Sequence, residues 1–237
     1  MDIPEGQRRI TAFWNTVAPN YESPGNVAPV GTADYAKWVE ALRSVLPTSP
    51  ARVLDVGTGT GFVARIAAVL GHRVTAIDLS EGMLDASSAR DCGLAITFAV
   101  GDAVDPPFPA GSFDVVVSRS VLWTLRQPEL AFRNWYKLLS PGGRMVAIYG
   151  LSAAARSEPP PDAGAEDSGQ EPTLFERHYT PETREELTAM YLTGHEPLVT
   201  AADAAGFRDV AVIPLEMVRG WETSPGSDLP YALSATR

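Results

Sequence analysis

The sequence predicts an α/β fold: one doubly wound sheet, mostly parallel, with helices on both faces and an antiparallel strand at the C-terminal end. Three observations carry this. Apolar, β-branched runs alternate with helix-period segments four times between Ala51 and Gly150. The fourth run, "FDVVVS", is apolar almost throughout, as a strand covered on both faces must be. The last two runs, "RDVAVIPLEMV" and "DLPYALSATR", read as an antiparallel closing pair.

Each element has a local reason. "RRITAFWNTVAPNYES" predicts a short amphipathic helix running into a Pro- and Asn-rich loop. In "GTADYAKWVEALRSVLP", Thr32 is the cap candidate, and Tyr35, Trp38, Val39, Leu42, Val45 and Leu46 fall at helical spacing. "ARVLDV" is the first core strand, followed by a helix from about Thr60 to Leu70 that Gly71 stops. "RVTAID" is the second strand. Ser80 then caps a helix through about Asp91, with Glu81 in its first turn. "LAITFAV", "FDVVVS" and "RMVAIYG" complete the parallel set, with the helix "QPELAFRNWYKLL" between the last two. "TPETREELTAMYL" restarts as a helix with Pro181 at its first position. "PLVTAADAAGF" is another, ended by Gly206.

The expected organisation is a single domain over 1–237. It comprises an N-terminal helical cap (1–46), a core (51–150), a variable loop with helices (151–206) and closing strands (207–237). The stretch from Ser157 to Glu171 is acidic and Pro-rich. It buries little and reads as a loop, either a lid over a ligand or a disordered insertion.

Composition narrows the partners. A net charge of -10 over 237 residues repels phosphate backbones, so nucleic acid is not an expected partner. The one cysteine, Cys92, rules out an internal disulfide framework and a cysteine-rich metal site. "MDIPEGQRRITAFW" has no apolar signal core, and no uncharged run approaches membrane-spanning length. The expectation is a cytoplasmic protein, monomer or homodimer, with no membrane contact.

The chemistry centres on "VLDVGTGTGF". Strand, turn and helix meet at Gly57, Gly59 and Gly61, a G-x-G-x-G pattern. The dinucleotide fingerprint is G-x-G-x-x-G, and Phe62 stands where its third glycine belongs. No Gly-Lys-Ser/Thr follows, which removes a phosphate-binding P-loop. A tight connection with no ligand stays open on this turn alone. Polar groups at the next strand ends sharpen the reading. Asp78 lies 21 residues after Gly57, where a carboxylate accepts from ribose hydroxyls. Asp102 ends the third strand, where an acid can accept an exocyclic amine, and Ser118 and Arg119 end the fourth.

In order and spacing, "VLDVGTGTG", "VTAIDLSEGML", "FAVGDAVDPPFPAGSFDVVVSRSVLWTL" and "LLSPGGRMVAIYG" resemble the class I S-adenosylmethionine-dependent methyltransferases. The closest likeness is to their small-molecule, secondary-metabolite group. "FWNTVAPNYE" is similar to the opening of those enzymes. The resemblance implies a Rossmann-like sheet and S-adenosyl-L-methionine as cofactor. It implies that Asp55 and the turn Gly57, Thr58, Gly59 and Gly61 hold the methionine moiety. Asp78 takes the ribose, Leu79 and Met83 sandwich the adenine, and Asp102 and the Ala103 amide read its edge. Ser118 and Arg119 line the methionine end, the Arg pairing with the carboxylate. Trp14 and Tyr21 close over the cofactor or are simply core.

The acceptor is expected to be a small molecule methylated on oxygen or nitrogen, less readily on carbon. A hydroxyl acceptor needs a base. His178, in "FERHYTPE", is the candidate; the competing reading is a surface or capping histidine. His72 lies on the wrong sheet edge, and His195 is a lesser candidate. Trp123, Tyr149 and Tyr179 are candidates for the substrate wall, with Phe175, Met190 and Tyr191 nearby. Aromatics at helical spacing also read as core. "SRSV" and "YGLS" lack the acids of a catechol-type magnesium site, so no metal is expected. The alternative is a protein of the same fold that binds S-adenosylmethionine but works as a cyclase, an isomerase or a binding subunit.

Overall fold

A computed structural model describes residues 3–22, 27–89, 93–151, 171–221 and 229–237. Two N-terminal helices, α1 (Glu5–Val17) and α2 (Ala33–Val45), precede the sheet. Thr32 caps α2 by accepting from the Tyr35 amide. Five strands follow: β1 (Arg52–Val56), β2 (Arg73–Asp78), β3 (Ile96–Val100), β4 (Phe113–Arg119) and β5 (Leu139–Gly150). Helices α3 (Phe62–Val69), α4 (Glu81–Ser88) and α5 (Pro128–Leu138) lie between them. After β5 come α6 (Leu174–His178), α7 (Pro181–Glu185) and α8 (Glu196–Ala205), then β6 (Arg208–Pro214) and β7 (Pro230–Thr236).

The seven strands run in the order β3-β2-β1-β4-β5-β7-β6. The pairs β1–β2, β1–β4, β2–β3 and β4–β5 are parallel; β7 is antiparallel to both β5 and β6. Strand order therefore reverses between β1 and β4, and the crevice beyond their carboxyl ends is where such sheets bind ligands. One core packs α2 and α3 on one face, through Trp38, Leu42, Phe62 and Ile66. A second packs α5 and α8 on the other, through Phe132, Trp135, Leu198 and Ala202. A third, smaller cluster of Ile10, Trp123, Tyr179, Leu187 and Met190 lies under α1.

Three element expectations change. The helix after the glycine turn starts at Phe62, because Gly61 takes φ +83° and acts as its N-cap. Residues 174–178 form a helix where the sequence reading named no element. Thr173 and Glu176 close a reciprocal capping box on it. The helix begun by Thr180 and Pro181 ends at Glu185 instead of running to Leu192. Leu187 and Met190 beyond it enter the aromatic cluster, while Ala189 and Leu192 enter the sheet core. The acidic stretch lies outside the described residues up to position 170, as does Cys92. Among the described residues no helix is long and apolar enough to cross a membrane.

Candidate active site

A cleft open to solvent lies over the carboxyl ends of β1, β2, β3 and β4. Its floor is the glycine turn. Gly57, Gly59 and Gly61 all have positive φ, which L-residues adopt only at a cost. Their roles differ. A Cβ on Gly57 would lie 2.4 Å from Val121, so the turn packs against the chain after β4. A Cβ on Gly61 would lie 2.2 Å from Ser87 Oγ; this glycine faces α4 beneath the turn and not the cleft. A Cβ on Gly59 would meet no protein atom within 4 Å. That backbone is bare toward the cleft, a cradle for close approach.

Asp78 ties the floor together. Its Oδ2 accepts from the Gly59 amide at 2.8 Å, and its Oδ1 from the Ser80 amide at 2.8 Å. An ionised carboxylate has about four acceptor sites, so these amides leave acceptor capacity toward the cleft. Burial pushes its pKa up, opposed by the Ser80, Gly59 and Leu79 amides. Ser80 Oγ caps α4 by accepting from Met83. Leu79 and Met83 line the cleft beside it.

Asp102 closes the far end. Its Oδ1 accepts from the Val104 amide at 2.8 Å, shaping a tight turn. The turn is pinned from α5, where Trp135 Nε1 donates to the Ala103 carbonyl and Asn134 Nδ2 to the Val104 carbonyl. Asp102 and Ala103 both line the cleft.

The other end narrows into a side pocket with Asp55, Thr58, Thr60, Tyr21 and Arg119 on its walls. Asp55 is 1% exposed, and Thr58 Oγ1 donates to its Oδ2 at 2.7 Å. Burial raises its pKa to about 7; Thr58, the Ala64 amide and Arg119 pull it back, while Asp78 adds to the rise. Arg119 lies with its guanidinium carbon 4.7 Å from the Trp38 ring centroid and 5.1 Å from that of Phe62. Burial lowers its pKa, and Tyr21 and Asp55 oppose this. Tyr21 is placed by its neighbour Glu22, which pairs with Arg65 of α3 at 3.0 Å. The buried Thr60 hydroxyl has no hydrogen-bond partner among the described residues. An acid, a cation and this hydroxyl around one small space fit a zwitterion.

α1 forms the outer wall. Gln7, Ile10, Thr11 and Trp14, spaced i, i+3, i+4 and i+7, line the cleft from one helix face. Ser120, Val121, Thr124 and Leu125 line it after β4. Gln7, Thr11, Ser120 and Thr124 were not anticipated. A polar residue facing a cleft has the same sequence pattern as one facing water. Ser120 carries a faint signal, since it is one of two non-glycine residues with positive φ among those described.

Besides Gly61, five expected residues sit elsewhere. Ser118 is wholly buried at the end of β4, its hydroxyl without a partner among the described residues. His178 is not on the cleft wall. Its Nδ1 bonds the Arg9 carbonyl at 3.2 Å, and its ring meets the edge of Phe13, so it fastens α6 to α1. Trp123 and Tyr179 belong to the aromatic cluster under α1. Tyr179 stacks on Phe175 at 4.5 Å, and Trp123 lies 5.6 Å from it. Tyr149 turns toward α8 and bonds His195 Nδ1 at 2.7 Å, with Tyr231 beside both rings. Burial pushes its phenol well above the usual range. Among the described residues no three His, Cys, Asp or Glu side chains gather as a metal site.

Fold and cleft together define a class: the class I S-adenosylmethionine-dependent methyltransferases. The chain belongs to that family. A methyltransferase domain model matches residues 54–147. The demethylmenaquinone methyltransferase of Thermus thermophilus is 31% identical over 157 residues, which cover 65% of this chain and 67% of that protein. A ubiquinone/menaquinone biosynthesis C-methyltransferase of Ruegeria is 30% identical over 155 residues, covering 62% and 61%. The match spans about 60% of the length of the first such relatives. Among solved structures, the cyclase SpnF aligns with a TM-score of 0.62 at 20% identity, over 98% of this chain and 94% of that one. That likeness is one of fold.

Proposed function

We propose that this protein transfers a methyl group from S-adenosylmethionine to a small molecule. The carrying observation is the convergence, in one cleft, of the bare Gly59 backbone, the Asp78 carboxylate and the Asp55–Arg119 pocket. Asp78 would take the ribose diol. Asp102 and the Ala103 amide would take the adenine edge, with Leu79 and Met83 against its faces. Asp55 would face the ammonium and Arg119 the carboxylate. When bound, the cofactor supplies a methyl already activated by its sulfonium. The chain's work is then alignment and exclusion of water, by Trp14 and Tyr21 above and the glycine turn below.

We place the acceptor on the side of Ser120, Val121, Thr124 and Leu125. The hydroxyls there orient a ligand, and the aliphatic groups suit an apolar ring. With His178 turned away, this wall offers no imidazole. An electron-rich ring carbon or a neutral amine needs less help from a base than an alcohol does. The Ruegeria relative's name speaks of carbon methylation in quinone biosynthesis. We therefore rank a ring carbon ahead of the oxygen or nitrogen acceptors expected from sequence. The likeness to SpnF favours one second reading, a cyclase on the same fold.

The test is mass spectrometry after incubation with S-adenosylmethionine and a reduced naphthoquinone, an amine or a simple phenol. The expected result is a gain of one methylene mass on a ring carbon of the naphthoquinol. A gain on oxygen or nitrogen replaces the acceptor. Unchanged masses across the panel, with cofactor bound, favour the cyclase.

A further inference from the structure

We propose that Asn15 is a latch: it holds α1 shut over the bound cofactor and so sets how long the cofactor stays. The inference rests on the cofactor reading above and adds a positioning residue to it.

Asn15 follows directly on the helix face that lines the cleft, four residues after Thr11. Its side-chain oxygen reaches across to the start of α4. It accepts from Ser80 Oγ at 2.8 Å and from the Gly82 amide at 3.0 Å. The α4 end is shaped for it. A Cβ on Gly82 would lie 3.2 Å from the Asn15 carbonyl oxygen and 3.3 Å from its Cα, so the missing side chain lets the two helices approach. Ser80 links this contact to the site, because its amide donates to Asp78. Asn15, Ser80 and Asp78 thus form one hydrogen-bonded chain from lid to floor.

The two sides of α1 are held differently. Toward α6, Phe13 packs edge-on against Phe175 and Tyr179, and His178 bonds the Arg9 carbonyl. That side is apolar and partly buried, as a hinge would be. Toward α4, the Gly82–Asn15 bond lies near solvent, and the Ser80–Asn15 bond is partly buried. A polar contact with one bond that water can replace costs less to break than an apolar one packed from both sides, which suits a contact that opens and recloses. Ile10 and Trp14 flank the cleft over Gly59, Asp78 and Asp102, so lifting α1 would widen the exit for a cofactor lying there.

Both partners donate to Asn15 Oδ1, and this gives a clean control. Asn15→Asp keeps an acceptor for both donors; Asn15→Ala removes it. The probe is S-adenosylhomocysteine, and the readout is its dissociation rate by stopped-flow displacement. The fluorescence of Trp14, on the cleft wall, is the signal. The expected result is dissociation about three- to tenfold faster for Asn15→Ala, the scale of one or two hydrogen bonds. Asn15→Asp should stay within about twofold of the wild type, a margin below the loss of one such bond. Gly82→Ala should also speed release, since its Cβ pushes α1 outward. An unchanged rate for Asn15→Ala overturns the latch, and so does an equal acceleration for Ala and Asp. A wild type that does not bind the probe overturns the cofactor reading instead, and the two failures are distinct.

Discussion

Asp55 sits at the end of β1 with its carboxyl almost wholly out of water, and burial holds its pKa near about 7. The sign of its effect follows. In the free chain the folded-state value lies above the unfolded one. The group's contribution to stability is therefore present at low pH and is lost as pH rises through about 7. A ligand ammonium beside it reverses the preference, because it binds the ionised form. Affinity for S-adenosylhomocysteine should therefore rise between about pH 6 and about pH 8, by up to about tenfold per unit below the pKa. Asp55→Asn should flatten that rise; a slope that survives the substitution places the titrating group elsewhere. At this scale the acids were legible in the sequence. Asp55, Asp78 and Asp102 each lie at or just beyond the end of a strand, and strand ends are set by hydrophobic pattern. His178 was not, because a histidine before a capped turn reads the same whether it faces a cleft or, as here, a neighbouring helix carbonyl.

The β1–α3 turn shows how an element divides work among similar residues. Gly57 and Gly59 both have positive φ, near +60°, so alanine strains either backbone by about 1–2 kcal/mol. Their surroundings then differ. At Gly57 the new methyl collides with Val121; at Gly59 it projects into the cleft. Gly57→Ala should lower the melting temperature clearly more than Gly59→Ala. Gly59→Ala should lose proportionately more cofactor affinity than stability. Thermal unfolding paired with calorimetry checks this, and equal losses of both in the two variants would count against the division. The turn was legible as a motif, yet the distinct roles of its glycines were not, since they depend on Val121 and Ser87, distant in sequence. α1 was legible as an amphipathic helix. That Gln7 and Thr11 face a cleft was hidden, because that wall exists only once α1 meets the sheet. α7 was over-read: the helical spacing of Leu187 and Met190 is met by turns that feed the aromatic cluster.

On the scale of the molecule, the sheet separates a stabilising edge from a chemical one. At the amino ends of β1 and β4, Arg52 Nη2 pairs with Asp114 Oδ1 at 2.7 Å, and Ser140 Oγ also donates to that oxygen. The Arg52 guanidinium holds the Asp114 carboxyl far below the usual range. At the carboxyl ends, the polar groups instead line the cleft, where order reverses between β1 and β4. This arrangement was readable from strand–helix alternation alone, since few topologies satisfy it. The acceptor was not readable, because its wall depends on α1 and the chain after β4 meeting over the sheet. Phe62 also has a place at this scale. It packs against Trp38 with ring centroids 5.6 Å apart, where a dinucleotide site would carry a glycine. The central claim is that the cleft holds S-adenosylmethionine, and titration calorimetry with S-adenosylhomocysteine tests it most directly. The expected result is one molecule bound per chain, with Asp78→Ala weakening it by about 1–3 kcal/mol through lost charge-assisted bonds. No binding by the wild-type chain would contradict the account.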